Sequence, residues 1–172
     1  MAELTRYQIY DLLNRPVHLW LVGIDLSRAD LREVDLSKAN LSGAKLREAN
    51  LSGAKLTETN LAGASLSQAD LTGANLRGAN LCGAKLLGTK LLGTKLRGAD
   101  LSGADLRAAD LSGAIVTAEQ LVTVRLEGAI MPDGSKAKSS TESPVESPVE
   151  SLVESPVESP PAMPDGSKPA LQ

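Results

Sequence analysis

The amino-acid sequence predicts an all-β solenoid, a coil in which the chain bends once every five residues. Three observations lead there. Leu stands at 26, 31, 36 and every fifth position through Leu111, eighteen times in succession. Thirteen of the fifteen glycines share one phase of that period, two residues after the leucine phase. The chain of 172 residues is 42% apolar yet 2% aromatic, with no Phe, two Tyr and one Trp, so its interior must be filled by small aliphatics in a regular array.

The other positions of the pentad are equally restricted. Two residues before the eighteen leucines stand thirteen Ala and three Thr (Thr59, Thr89, Thr94); immediately before them stand twelve Asp or Asn, five Lys and Ser65. An α-helix advances about 100° per residue, so leucines five apart would be scattered over every face. The eleven glycines between Gly43 and Gly113 would each cost such a helix about 1 kcal/mol. A flat strand fails because five is odd and successive leucines would alternate sides. A bend in each pentad brings every leucine inward. In Leu41-Ser42-Gly43-Ala44 the glycine occupies the position where a type II turn requires positive φ. The Asp or Asn before each leucine can accept a bond from the backbone at the next corner.

Leu and Ala therefore line the inside, and coils stack at about the 4.8 Å spacing of paired strands. The charges before each leucine limit how many pentads close one coil, since stacked like charges repel. Lags of 5 and 10 superpose like charges (Lys85, Lys90 and Lys95; Asp100, Asp105 and Asp110). Lags of 15, 20 and 25 superpose none, and 15 and 20 give opposite pairs such as Asp25 with Lys45 at lag 20. One or two pentads per coil are excluded; three, four and five remain.

The runs Ala39-Asn40-Leu41-Ser42-Gly43, Ala49-Asn50-Leu51-Ser52-Gly53 and Ala99-Asp100-Leu101-Ser102-Gly103 resemble the pentapeptide-repeat family, including its cyanobacterial members. The resemblance covers residues 24–131 and implies a right-handed quadrilateral β-helix with four pentads per coil. Some members of that family mimic DNA and bind the topoisomerase gyrase. The resemblance thus supplies an alternative function.

Composition divides the chain into three parts. Residues 1–23 form an N-terminal cap that holds all three aromatics; Ala2 to Asn14 is expected as a short helix ended by Pro16. Residues 24–131 form the repeat coil, nearly neutral and free of proline. Glu119 falls at an inward position, where a carboxylate is costly. With Thr117 and Gln120 spaced as a capping box, it predicts a short helix near 117–123, after which Arg125 to Met131 returns to the pentad frame. Residues 132–172 are a low-complexity Ser/Pro/Glu-rich tail, expected to be disordered, and carry eight of the nine prolines. Within that tail Met163 to Lys168 repeats Met131-Pro132-Asp133-Gly134-Ser135-Lys136.

The candidate chemistry is sparse. One cysteine and one histidine provide neither a thiolate zinc site nor a His pair, and Asp residues at five-residue intervals cannot converge on one ion, so no metal or cofactor is expected. His18 reads as a cap residue without a catalytic partner, and Trp20 as an outward residue packed under the N-terminal helix. The anomaly is the position after the leucine, mostly Ser, Thr or Arg elsewhere, which becomes Cys82, Leu87 and Leu92 beside Lys85, Lys90 and Lys95. With Leu87 and Leu92 expected on adjacent faces at nearly the same level, these form a candidate protein-binding strip for an acidic partner.

The function expected is a non-enzymatic structural or protein-interaction module, acting on another protein and on no small-molecule substrate; the alternative is the gyrase-binding DNA mimic. That alternative fits poorly. Mimics are acidic along the coil and often carry Phe inside, whereas residues 24–131 hold 13 Lys/Arg and 12 Asp/Glu and no Phe. Lysines matched by acids leave no basic stripe for direct nucleic-acid binding. No apolar run reaches the roughly 18–20 residues of a membrane span, and no secretory signal is read, so a cytoplasmic location is expected.

Overall fold

A computed structural model describes residues 19–137. The expected N-terminal helix, His18 and the tail beyond 137 lie outside the described residues.

Every parallel bridge joins residues twenty apart, from Trp20 with Asn40 to Asp110 with Ile130. Four pentads therefore complete one coil, which decides among the three spacings the charges left open. The exchange is that of parallel strands one residue deep. Leu46 N–H donates to Ser65 O in the next coil at 2.7 Å, and Ser65 N–H donates back to Ala44 O at 2.9 Å.

Each pentad bends as its residues require. Ala44 N–H closes the corner onto Leu41 O at 3.0 Å, with Gly43 at φ +65°. Where the same corner lacks glycine, as at Glu58, Gln68 and Ala108, the residue still takes φ between +54° and +60°, because the coil dictates the bend. The residue before the leucine then ties the next corner, as when Ser102 N–H donates to Asp100 Oδ1 at 2.9 Å.

The core is a solid column. Leu31 through Leu111 are all buried, with the alanines of the same pentads from Ala39 to Ala109 packed between them. Thr59, Thr89 and Thr94 take alanine positions at 0% exposure, and each hydroxyl donates to a leucine carbonyl of the preceding coil. Polar groups so buried are tolerated because each is bonded.

The frame breaks where Glu119 would have pointed inward. The helix expected over 117–123 is only a single 3-10 turn, Glu119–Leu121, and Glu119 is exposed. The capping box forms around it: Thr117 N–H donates to Gln120 Oε1 at 3.0 Å, and Gln120 N–H to Thr117 Oγ1 at 3.4 Å. The turn is short because regular pairing resumes at once, with Arg125 bridged to Asp105. Residues 132–137, grouped with the tail by composition, fold back as a hairpin. Met131 N–H donates to Ser135 O at 2.7 Å, Ala137 N–H to Ala129 O at 2.8 Å, and Lys136 pairs antiparallel with Ile130. The first copy of the repeated hexapeptide thus covers part of the last coil's edge.

Candidate interaction walls

With the core filled, the described residues meet other molecules through four outer walls, each a stack of one pentad per coil. Wall 1 runs through residues 20–23, 40–43, 60–63, 80–83 and 100–103. Wall 2 runs through 25–28 and its equivalents to 125–128, wall 3 through 30–33 to 110–113, and wall 4 through 35–38 to 95–98, with Ile115 above.

The walls differ sharply in charge. Wall 1 carries only Asp100. Its centre is a ladder of Asn40, Asn60 and Asn80, in which Asn60 Nδ2 donates to Asn40 Oδ1 at 3.2 Å. Walls 2 and 3 interleave both signs. Asp25 meets Lys45 at 3.5 Å on wall 2, and Asp70 meets Lys90 at 3.8 Å on wall 3. An open depression on wall 2, bounded by Ser27, Arg28, Arg47 and Glu48, is spanned by the Arg28 Nε–Glu48 Oε2 bond of 2.9 Å. Wall 4 has five cations (Lys38, Lys55, Arg77, Lys95, Arg97) against Asp35 and Glu58. Both acids are taken, by Lys55 at 3.7 Å and Lys38 at 3.8 Å.

Several carboxylates are held below their ordinary value by the corner geometry. For Asp110, Asp100 and Asp35 the chief cause is the hydrogen bond from the serine two residues on, with burial opposing it. At Asp70 burial is the largest influence and pushes upward; the Thr72 bond and Lys90 together outweigh it. At Asp105 the Arg107 guanidinium dominates, through a two-pronged contact at 2.8 and 2.7 Å. These groups are acceptors in turns and fix the backbone there.

The three residues singled out from sequence lie at one coil level but on three successive walls. Cys82 is exposed on wall 1, stacked between Ala62 and Ser102. Leu87 is 43% exposed on wall 2, between Ser67 and Arg107, and Leu92 is half-buried on wall 3, between Thr72 and Ser112. They form a partial belt around the coil. Trp20 points outward as expected, but at 77% exposure it lacks the packing expected of it. Among the described residues no group of His, Cys, Asp and Glu is placed to hold a metal ion, and no helix is long and apolar enough to cross a membrane.

Sequence reasoning missed two features. Gln120 does more than cap its turn: its Nε2 donates to Ala99 O at 2.7 Å and Leu96 O at 2.8 Å. In the regular frame Ala99 O would take the backbone N–H of residue 120, as Ala104 O takes Arg125 N–H, so the side chain replaces the bond its own backbone gives up. The second is the cationic excess of wall 4, visible only once the coil length is known.

The family model described as pentapeptide repeats matches eight copies over residues 18–48, 49–88 and 74–113. The chain belongs to the pentapeptide-repeat family. The stacked walls are accordingly those of the family's right-handed β-helix. A pentapeptide repeat protein from the Arabidopsis thaliana thylakoid lumen is 30% identical, with a TM-score of 0.50, the match covering 59% of this chain and 71% of that one. HetL, a pentapeptide repeat protein involved in heterocyst differentiation regulation in the cyanobacterium Nostoc sp. strain PCC 7120, is 34% identical over 71% of this chain and 78% of its own, with a TM-score of 0.36. Another pentapeptide repeat protein from Nostoc PCC 7120 is 33% identical over 70% and 94%, with a TM-score of 0.45. Comparison with curated proteins found no match. A relative from the thylakoid lumen means that the repeat alone assigns no cellular compartment.

Proposed function

We propose that this pentapeptide-repeat protein is a non-enzymatic interaction module that binds another protein through its outer walls. The observation that carries this reading is the filled interior. Leucine and alanine close the axis from Leu31 to Leu111, so recognition falls to side chains projected at fixed spacing from a rigid backbone. Rows held one coil apart suit an extended protein surface, since little conformational freedom is lost on binding.

The level of Cys82, Leu87 and Leu92 is the first place to look for contact. Leu87 and Leu92 replace the polar residues found above and below them, and they sit beside Lys85 and Lys90. An apolar side chain ringed by cations suits a partner with exposed carboxylates. The test is affinity capture from cell extract with the full chain, comparing the parent with the Leu87→Ser/Leu92→Ser pair. Both positions lie outside the core, so the pair is expected to fold normally and to lose captured proteins that the parent retains. An unchanged set of captured proteins removes this level from the reading.

The gyrase-binding alternative lacks comparable support. Residues 71–99 contain Arg77, Lys85, Lys90, Lys95 and Arg97 and no acid, which interrupts any continuous anionic surface of the kind duplex DNA presents. A supercoiling assay with added full-length protein separates the two readings.

A further inference from the structure

Most of the charge on the coil is compensated: acids and bases of neighbouring coils or corners lie within 4 Å of each other, as at Asp35–Lys55, Lys38–Glu58 and Asp70–Lys90. The upper half of wall 4 breaks that rule. Arg77, Lys95 and Arg97 are all exposed, and none has an acidic partner among the described residues. Arg97 sits one coil above Arg77, where Gly78 N–H donates to Arg97 O at 3.2 Å, so like charge stands over like charge on adjacent coils. Such stacking is unfavourable unless something of opposite charge comes between.

From this we propose that wall 4 above Glu58 binds an acidic, extended segment of a partner protein. Its carboxylates engage Arg77, Lys95 and Arg97, and an apolar residue rests on Ile115. Ile115 is 56% exposed and is bridged directly above Lys95, so an apolar contact adjoins the cations. Gly78 and Gly98 follow the two arginines and add no side chain to the wall there.

The charge distribution along the axis favours a short peptide over a long polyanion. The acid-free stretch ends at Asp70 on one side and Asp100 on the other, and residues 100–131 hold five acids (Asp100, Asp105, Asp110, Glu119, Glu127) against Arg107 and Arg125. A nucleic acid laid along the coil would meet repulsion beyond one or two turns, whereas a short peptide held on wall 4 above Glu58 meets only cations there. Arginine suits the role because its fork takes a carboxylate through two parallel bonds.

This inference rests on the reading of the walls as protein-binding surfaces, but it uses a different wall and different residues from the leucine level. The experiment is fluorescence polarisation with the full-length protein and a labelled peptide of alternating Glu and Ser carrying one Leu. A matched peptide with Gln for Glu, a single-stranded oligothymidylate and phosphatidylserine vesicles serve as competing probes. The acidic peptide should bind, weaken as salt rises, and lose roughly tenfold in affinity in Arg77→Gln/Arg97→Gln. Arg125→Gln, which removes an exposed cation from wall 2 away from the leucine level, should leave binding unchanged. The Arg77→Lys/Arg97→Lys pair should recover part of the loss. Circular dichroism of each variant establishes that it is folded. No binding of the acidic peptide, equal binding of the Gln peptide, tighter binding of the oligonucleotide or vesicles, or an equal loss in Arg125→Gln overturns the proposal. Failure of the leucine pair in the capture assay leaves it standing, so the two readings fail separately.

Discussion

Thr89 Oγ1 donates to Leu66 O at 2.7 Å, across the coil boundary and fully buried. The same carbonyl accepts Ala69 N–H at 3.0 Å within its own corner, so threonine in an alanine position ties two coils with a bond that alanine cannot make. Thr89→Val keeps the shape and removes the donor. It should cost about 1 kcal/mol, the usual net worth of a buried neutral hydrogen bond whose acceptor keeps another partner. Urea denaturation followed by circular dichroism measures it; no change would mean that the corner bond alone satisfies Leu66 O.

The division between inside and outside is tested by neighbours. Leu66 is completely buried and Ser67 lies on wall 2. Leu66→Ala should cost roughly 2–5 kcal/mol through the cavity it opens, while Ser67→Ala should be nearly silent. Equal losses in urea midpoint would contradict the assignment of leucine to the core.

The corner residues give a pair of opposite expectations. Ala108 holds φ +54° without the freedom of glycine, and Gly73 holds φ +68° with open space where a Cβ would stand. Ala108→Gly should stabilise by about 1 kcal/mol and Gly73→Ala should destabilise by a similar amount, because left-handed backbone penalises any Cβ. Thermal melts of the two variants should move in opposite directions; a shift in the same direction would mean that the corners are not held by φ.

Acid should loosen the coil. Asp35, Asp100 and Asp110 titrate below the ordinary 3.8 because serines bond their ionised forms, so the fold favours the carboxylate. A depressed value contributes stability that is complete above the ordinary value and drains as pH falls through the folded one. Urea midpoints should therefore be level from neutral pH to about 5 and fall below about 4. Asp110→Asn keeps an acceptor for Ser112 N–H, as Asn40 does for Ser42, and removes one titrating group. Its acid loss should be smaller than the parent's, and an unchanged profile would sever the link between these corners and pH.

Much of this was legible in the sequence because a five-residue period leaves a chain few options. Leu41, Gly43 and Ala44 each state one condition of the corner, and all three hold. The Thr117–Gln120 capping box was legible for the same reason, being a local pattern. What the residues alone left open depends on coil length, which the family resemblance implied. Arg77 and Arg97 are twenty apart, and the pentad pattern by itself does not tell that they share a wall; the Asn75–Lys95 bridge shows it. The span of Gln120 to Ala99 and Leu96 is hidden likewise, since it joins the coil that breaks frame to the one before it. Cys82, Leu87 and Leu92 could be recognised as exceptions on successive faces, since the chain bends once per pentad; the structure adds which residues stand above and below each.

The stacking of residues twenty apart underlies every wall described above, and the single native cysteine offers a direct test of it. Cys82 stands one coil from Ala62 on wall 1, at about the 4.8 Å strand spacing, within the range over which disulfides form. Full-length Ala62→Cys, Ser67→Cys and Thr57→Cys place a second thiol twenty, fifteen and twenty-five residues from Cys82. After mild oxidation, mass spectrometry should find an intramolecular disulfide in Ala62→Cys and none in the other two. A disulfide in Ser67→Cys or Thr57→Cys with none in Ala62→Cys would mean three or five pentads per coil, and the walls drawn here would not exist.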